Sequence, residues 1–532
     1  MARPGRRPRT SSRRAPLPLL AAAALVAACA AAPLVQLIVR AASGGAEAAA
    51  TALLRPRTVE LLANTLILVA TVSVAALLLG ITLAVAAVRV RLPGRRLWWV
   101  ALCLPLAVPS FVAAFAWTAT WPTVDGFWPL VIVLTLCTAP YVTLPAMAAL
   151  STLDDGLVDV ARTLGRSRAR VFLTIVLPHV LPAAAAGALL VALYTLSDFG
   201  APAILRFETL TTGIYAQFSS GFDRTLAATT ALLLAVVAMF CVAGERVVRP
   251  RPARIRTAVT SRPPTELGRA RTALTLCGLG AVTAAAVAFP LVALGIRMLS
   301  SDRYSSAPTD LVGALVTTLG VSALAATVAV LLALPVSVLA ARFRGPVVAG
   351  LESVSYLGHA LPGVVVALAL VTLSLQFFPG AYQSILVLLV AYAVLFLPKT
   401  VGASRTAVAQ VPPELEEVSR SLGRGPVRTW IRVTLPAALP GILAGWVLVA
   451  TAVAKELPAT LMLRPIGFET LATELWSKTS LGAYGAAAPV GLLLIVAGIA
   501  PALLLARGLE RRRGSDGPTR ADALAGTVRR EA

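Results

Sequence analysis

Long apolar stretches alternate with short polar ones along nearly the whole chain. Runs near the ~20 apolar residues that a helix needs to cross a bilayer fall at 16–40, 60–88, 97–118, 127–150, 180–205 and 225–244. A second series falls at 272–299, 311–341, 350–375, 384–399, 438–463 and 486–507. The pattern predicts an all-α membrane protein of about 12 transmembrane helices, six in each half.

Composition agrees with that reading. Of 532 residues, 58% are hydrophobic and 13% charged, too apolar a balance for a soluble globular chain. All five cysteines (Cys29, Cys103, Cys137, Cys241, Cys277) lie inside apolar runs, where they read as small packing residues and form no disulfide or metal framework. The net charge of +23 would suit a nucleic-acid surface, but its placement argues for membrane orientation. Arginines cluster at 3–14, at Arg89, Arg91, Arg95 and Arg96, at 246–256, at Arg342 and Arg344, and at 511–513. The helix count puts all of these on one side, so the positive-inside pattern predicts cytoplasmic termini and no nucleic-acid partner.

The two halves are related. Thr65 and Pro109 recur as Thr318 and Pro362 at an offset of 253, while Pro140, Pro182 and Arg206 recur as Pro398, Pro440 and Arg464 at 258. An even number of helices per repeat returns the chain to the side where it began, so both repeats share one orientation about an axis along the membrane normal. The expected organisation is a basic cytoplasmic tail (1–15), a first repeat (16–244), an Arg/Pro-rich cytoplasmic linker (245–271), a second repeat (272–507) and a cytoplasmic tail (508–532). The start of the chain, with Val26-Ala-Ala-Cys29 after a basic stretch, imitates a cleavable signal. Pro33–Arg40 nevertheless has an internal counterpart in Pro290–Arg297, which predicts a retained first helix.

Two polar loops repeat with identical spacing. The first runs Asp159-Val-Ala161-Arg-Thr-Leu164-Gly165, then nine residues, then Ile175-Val-Leu177-Pro178. The second runs Glu417-Val-Ser419-Arg-Ser-Leu422-Gly423, then nine residues, then Val433-Thr-Leu435-Pro436. The residue types predict a short helix, a left-handed turn at the glycine and a second short helix interrupted by the proline. Ala161 and Ser419 are small enough to let a partner surface approach, and Leu164 and Leu422 offer an apolar knob. This combination resembles the EAA loop of ABC-importer permeases, which docks on the ATPase subunit; the departures are Asp159 and Val160 in the first copy and Ser419 in the second.

Asp198 and Glu456 are the most unusual residues of the apolar segments, and they occupy equivalent positions 258 apart. Spans starting near 180 and 438 would carry each acid roughly 27 Å along its helix. Charges are costly in lipid, so the pair should face the seam between halves, where it attracts or gates a cation or else stabilises the seam with Lys455 as counter-charge. The three lysines (Lys399, Lys455, Lys478) complete no phosphate-binding loop, so the chain is no ATPase, and no nucleophile–base pair marks it as an enzyme. His179 and His359 have no partner at metal-ligand spacing, and no metal site or bound cofactor is expected.

Leu104–Trp117, Ser197-Asp-Phe-Gly, Glu208–Tyr215, Glu456-Leu-Pro-Ala-Thr-Leu and Gly467–Trp476 are similar to fused permeases of ferric-iron importers. The resemblance implies the type I permease fold, a place in the plasma membrane and a pore for iron(III). It also implies an extracytoplasmic solute-binding protein as donor and a separate ATPase, a dimer, that uses ATP. Fused permeases of this kind also carry thiamine or phosphonates. An ion-coupled secondary transporter is the competing class, and it would need neither loop.

Overall fold

The computed structural model describes residues 15–220, 224–248, 268–300 and 310–514. Most of the basic N-terminal tail, the linker and the C-terminal tail expected from the sequence lies outside these residues. The first repeat is built from α1 (Leu17–Ser43), α2 (Gly45–Leu54), α3 (Pro56–Arg89), α4 (Arg95–Cys103), α5 (Ser110–Thr120), α6 (Phe127–Ser151), α7 (Asp155–Thr163), α8 (Arg168–Ser197), α9 (Gly200–Ile204), α10 (Leu210–Ser220) and α11 (Arg224–Val248). The second comprises α12 (Arg269–Ser300), α13 (Leu311–Arg342), α14 (Pro346–Ser355), α15 (Gly363–Phe377), α16 (Ile385–Gln410), α17 (Pro413–Ser421), α18 (Pro426–Ala454), α19 (Pro458–Leu463), α20 (Leu471–Ser480) and α21 (Tyr484–Gly514). Among the described residues nine helices are long and apolar enough to cross a membrane, or eleven when two bent pairs each count as one span, and α21 stands in the place of a twelfth.

Those bent pairs break the third span of each repeat, expected as one apolar run over 97–118 and 350–375. In the first repeat α4 tightens into a 3-10 turn at Leu104–Ala107, and the chain bends by 85° into α5. The second repeat does the same through Leu357–His359, bending by 103° into α15. The cause is Pro109 and Pro362, each the N-cap of the helix that follows. Proline has no N–H to continue the ladder and pushes the residue before it to extended geometry, seen in Val108 at ψ 114°.

Packing then interleaves the repeats. Within each, the second, fourth and fifth spans pack together: α3, α6 and α8 in the first, α13, α16 and α18 in the second. The outer spans cross over. α1 lies on α13, α14 and α15 of the second repeat, and α12 and α21 lie on the bent third span of the first. The two largest hydrophobic cores are therefore mixed: one joins Val112, Phe115 and Leu134 to Leu294, Leu475 and Ile495, and another joins Leu37, Leu196 and Leu234 to Val364, Leu368 and Tyr392. Trp121 of the first repeat stacks on Phe289 of the second, with ring centroids 5.2 Å apart. The five cysteines are free thiols; Cys103 and Cys137 are buried, whereas Cys29 and Cys277 point outward.

Candidate functional site

The repeated loops form two matching protrusions. In the first, Asp154 caps α7 by accepting the N–H of Gly156 at 3.0 Å. The helix closes with Gly165 at φ 78°, its N–H donating to Arg162 O (3.0 Å) while Arg166 N–H reaches Ala161 O (3.2 Å). The second loop repeats this closure with Gly423 at φ 78°, through Gly423 N–H to Arg420 O (2.9 Å) and Arg424 N–H to Ser419 O (3.3 Å). This paired closure is the Schellman motif, and it needs a residue tolerant of left-handed backbone. Asp159 and Glu417 are exposed on the helices, and Leu164 and Leu422 project at 74% and 72% exposure. Ile175, Leu177, Val433 and Leu435 are half-buried on the return helices.

Two details differ from expectation. Ala161 and Ser419 do not face outward: both are buried, and Ser419 Oγ lies 3.0 Å from Thr429 Oγ1. Their small size lets each loop helix close on its own chain, leaving the leucines exposed to any partner. Nor do Pro178 and Pro436, both exposed, interrupt the return helix; α8 and α18 run unbroken for 30 and 29 residues. A π turn, Phe172–Val176 or Trp430–Thr434, ends two residues before each proline and turns aside the carbonyl that its ring would strike.

Sequence reasoning missed what anchors these loops. Arg89, at the end of α3, pairs with the buried Asp155 at the start of α7. Arg342, at the end of α13, pairs with the buried Glu416 at 2.8 Å and also donates to Val411 O at 3.0 Å. Glu416 further accepts from Arg420 (2.9 Å) and Thr434 (3.0 Å), so the second anchor is a network. The signal was present, since Arg89 and Arg342 are 253 apart like the matching threonines, but both had been counted only as orienting charge. The acids themselves do not align: at the loop offset of 258, Glu416 corresponds to Val158.

Asp198 and Glu456 do not lie within spanning helices. α8 stops at Ser197 and α18 at Ala454, and both begin twelve residues earlier than the starts of 180 and 438 expected from the sequence. Each acid heads a short helix instead. Asp198 Oδ1 accepts Ala201 N–H at 3.2 Å, while Glu456 accepts the N–H groups of Ala459 (3.0 Å) and Thr460 (2.9 Å) and the Thr460 hydroxyl (2.8 Å). A carboxylate here meets the positive end of α9 or α19, which supplies the stabilisation that lipid does not. Glu456 has both oxygens engaged; Asp198 Oδ2 is buried without a hydrogen-bond partner.

Lys455 is not their counter-charge. Its ammonium crosses the seam and donates to Leu106 O (3.0 Å) and Ala107 O (2.9 Å), carbonyls that the bend beyond α4 has deprived of helical partners. Beside it the seam is tight: a Cβ on Gly200 would meet Phe111 Cβ at 2.6 Å and Leu457 Cδ2 at 3.2 Å. Phe199 packs, tilted, between Tyr215 of its own repeat (ring centroids 4.8 Å apart) and Trp476 of the other (5.1 Å). Thr65 and Thr318 accept the first N–H of α10 and α20, from Leu210 (2.9 Å) and Leu471 (2.8 Å), which gives that repeated threonine its reason. His179 contacts Ala149 O at 3.1 Å. Among the described residues no three His, Cys, Asp or Glu side chains converge.

Comparison with known proteins matches this architecture to one family. Residues 76–254 and 333–515 each match the binding-protein-dependent transport system inner membrane component. The chain is 32% identical over 467 residues to the Fe(3+)-transport system permease protein FbpB 2 of Haemophilus influenzae, covering 85% of this chain and 90% of that one. Shorter matches reach the molybdate/tungstate transport system permease protein WtpB of Thermococcus kodakarensis (29% identity; 29% of this chain, 62% of the relative). A putative 2-aminoethylphosphonate transport system permease protein, PhnV, of Salmonella typhimurium is 33% identical over 30% of this chain and 59% of its own. These matches set aside the ion-coupled carrier and an enzymatic role. The chain, all-α and carrying the family unit twice, belongs to the binding-protein-dependent transport system inner membrane components, as a fused ABC-importer permease of the inner membrane.

Proposed function

We propose that this permease carries iron(III), handed over by an extracytoplasmic binding protein, with a dimeric ATPase seated on the α7 and α17 loops. Identity to a ferric permease along 90% of that relative's length is the observation that carries the substrate reading. The loops are suited to the ATPase because each offers an exposed acid and an exposed leucine on a helix fixed from behind by a buried Arg–acid pair. Both termini and both loops lie in the cytoplasm, on the strength of the arginine distribution.

In this mechanism, ATP-driven closure of the ATPase pulls the two loops together. The unbroken helices α8 and α18 carry that movement toward the seam, and the arginine anchors make α3 and α13 move with them. The seam then opens alternately to either side. Uptake of radiolabelled ferric iron by cells with and without the gene tests the substrate: loss of iron uptake in its absence is expected, and unchanged uptake refutes iron. A second reading, an oxyanion such as a phosphonate or molybdate, rests on the partial matches to permeases for those solutes, and the same cells assayed with these labels test it.

A further inference from the structure

The fifth spans of the two repeats end alike but grip different things. α8 stops at Ser197 and α18 at Ala454, and each leads into a short helix, α9 or α19, packed on the arm beyond the bend of its own third span, α5 or α15. These grips are close in both repeats. A Cβ on Gly363, the first residue of α15, would meet Glu456 Oε1 at 2.8 Å and Pro458 Cγ at 3.2 Å, just as one on Gly200 would meet Phe111 Cβ at 2.6 Å. Each fifth span therefore carries its own third span with it.

Across the seam the likeness ends. Lys455 continues from α18 into the first repeat and holds the Leu106 and Ala107 carbonyls, which belong to the 3-10 turn that leads into the first bend. α21 closes over this joint, since a Cβ on Gly498 would meet Ala107 O at 2.1 Å and Lys455 Nζ at 2.6 Å. At the offset of 258 the first repeat has Ser197, whose hydroxyl sits directly on Cβ and lacks the reach of a four-carbon lysine stem. Asp198 after it bonds within its own repeat, its Oδ1 accepting Ala201 N–H (3.2 Å) and its carbonyl accepting the Thr211 hydroxyl (2.7 Å). What this end of α8 sends across is apolar, Phe199 on Trp476 and Gly200 beside Leu457. Apolar faces can slide past one another, whereas two hydrogen bonds from one ammonium to adjacent carbonyls fix a register.

We infer that Lys455 is a positioning residue through which the second loop moves the bends of both repeats, while the first loop moves only its own, so that the two ATPase contacts drive the pore unequally. α18 runs unbroken for 29 residues from beside the α17 loop to Ala454, so a tilt at its loop end is delivered at Lys455. The unequal drive rests on the permease reading; the link between α18 and the first bend does not.

The test is hydrogen–deuterium exchange of the full-length chain in lipid nanodiscs, read at the two bends, 104–113 and 357–366. Glu416→Ala frees the root of α18, at Thr434, from Arg342 of α13. It should speed exchange at 104–113 at least threefold, although that segment lies in the other repeat. With Lys455→Met already present, adding Glu416→Ala should change 104–113 no further, and Lys455→Arg should keep the response. Asp155→Ala, the corresponding release of the first loop, should leave 357–366 unchanged. A lysine that only satisfies two carbonyls would affect 104–113 when removed but would not make that segment respond to Glu416. No response at 104–113, a response that survives Lys455→Met, or an equal spread from Asp155→Ala to 357–366 would overturn the inference. If Lys455→Met does not assemble, Gly498→Ala, whose methyl would intrude on the joint, takes its place and is read the same way. Absence of solute uptake in cells would strike the permease reading and leave this exchange pattern untouched.

Discussion

Replacing Glu416 with alanine removes the centre of the second loop anchor and leaves the Arg342 guanidinium with the Val411 carbonyl alone. Glu416 takes two contacts from Arg342 and one each from Arg420 and Thr434. The Arg342 and Glu416 side chains are 14% and 11% exposed, so the pair is largely withdrawn from water. Breaking a buried pair from one side costs about 3–5 kcal/mol, and the residual exposure puts this one near the low end, about 3 kcal/mol. Since ~1.4 kcal/mol is tenfold in an equilibrium, amides of α17 and of the start of α18 should exchange with deuterium roughly a hundredfold faster. In the first repeat Asp155→Ala removes the acid that pairs with Arg89, a more exposed arginine than Arg342, and should likewise speed exchange across α7. Exchange is read in lipid nanodiscs, with Glu416→Ala, Arg342→Met and the double variant forming a cycle. The double variant should cost less than the sum of the two, because it leaves no stranded charge. Unaltered exchange across 413–434, or additivity within ~0.5 kcal/mol, would refute the anchor.

Other outcomes are checked more simply. Gly423→Ala meets open space but must hold φ 78°, so it should cost ~1 kcal/mol and lower ATP-dependent uptake, while Gly423→Asn keeps more of it; insertion of the chain should be unchanged in both. Lys455→Met strands the Leu106 and Ala107 carbonyls and should lower the thermal midpoint of the purified protein, an effect absent from Lys478→Met, whose partner Glu474 lies on its own helix. Thr65→Val and Thr318→Val each remove a helix-capping acceptor and should each cost ~0.5–2 kcal/mol, measured by thermal unfolding. Cutting the chain between 249 and 267 and co-expressing the pieces should still give an assembled, transport-competent complex, whereas either piece alone should be degraded; a stable isolated half would contradict the mixed cores.

The span count and the loops were legible because each rests on a local, repeated signal: apolar length for the helices, fixed spacing for Gly165 and Gly423. The features that escaped depend on partners remote in the chain. Lys455 reads as a neighbour of Glu456 in sequence, yet its ammonium binds carbonyls some 350 positions away, which no local pattern encodes. Pro178 and Pro436 read as helix breakers under the usual rule, and the π turn that spares the helix lies in the residues before them. Pro109 and Pro362 obey the same rule without that relief, and the chain bends. The anchor was hidden by a shift of one helical turn: Asp155 aligns with Pro413, and Glu416 with Val158. Residues a turn apart share a helix face, so either position serves the same arginine, but an alignment by offset pairs neither.

The crossing of the outer helices also bears on how the two repeats have come to differ. Repeats made as separate polypeptides, each able to complete the other's core, would also pair with their own kind and give assemblies with two copies of one repeat and none of the other. Joined in one chain, the repeats meet only as unlike partners. A residue gained by one repeat, such as Lys399 where the first repeat has Tyr141 at the offset of 258, is then present once in every assembled permease, and selection can act on unlike halves without a population of mismatched ones to discard.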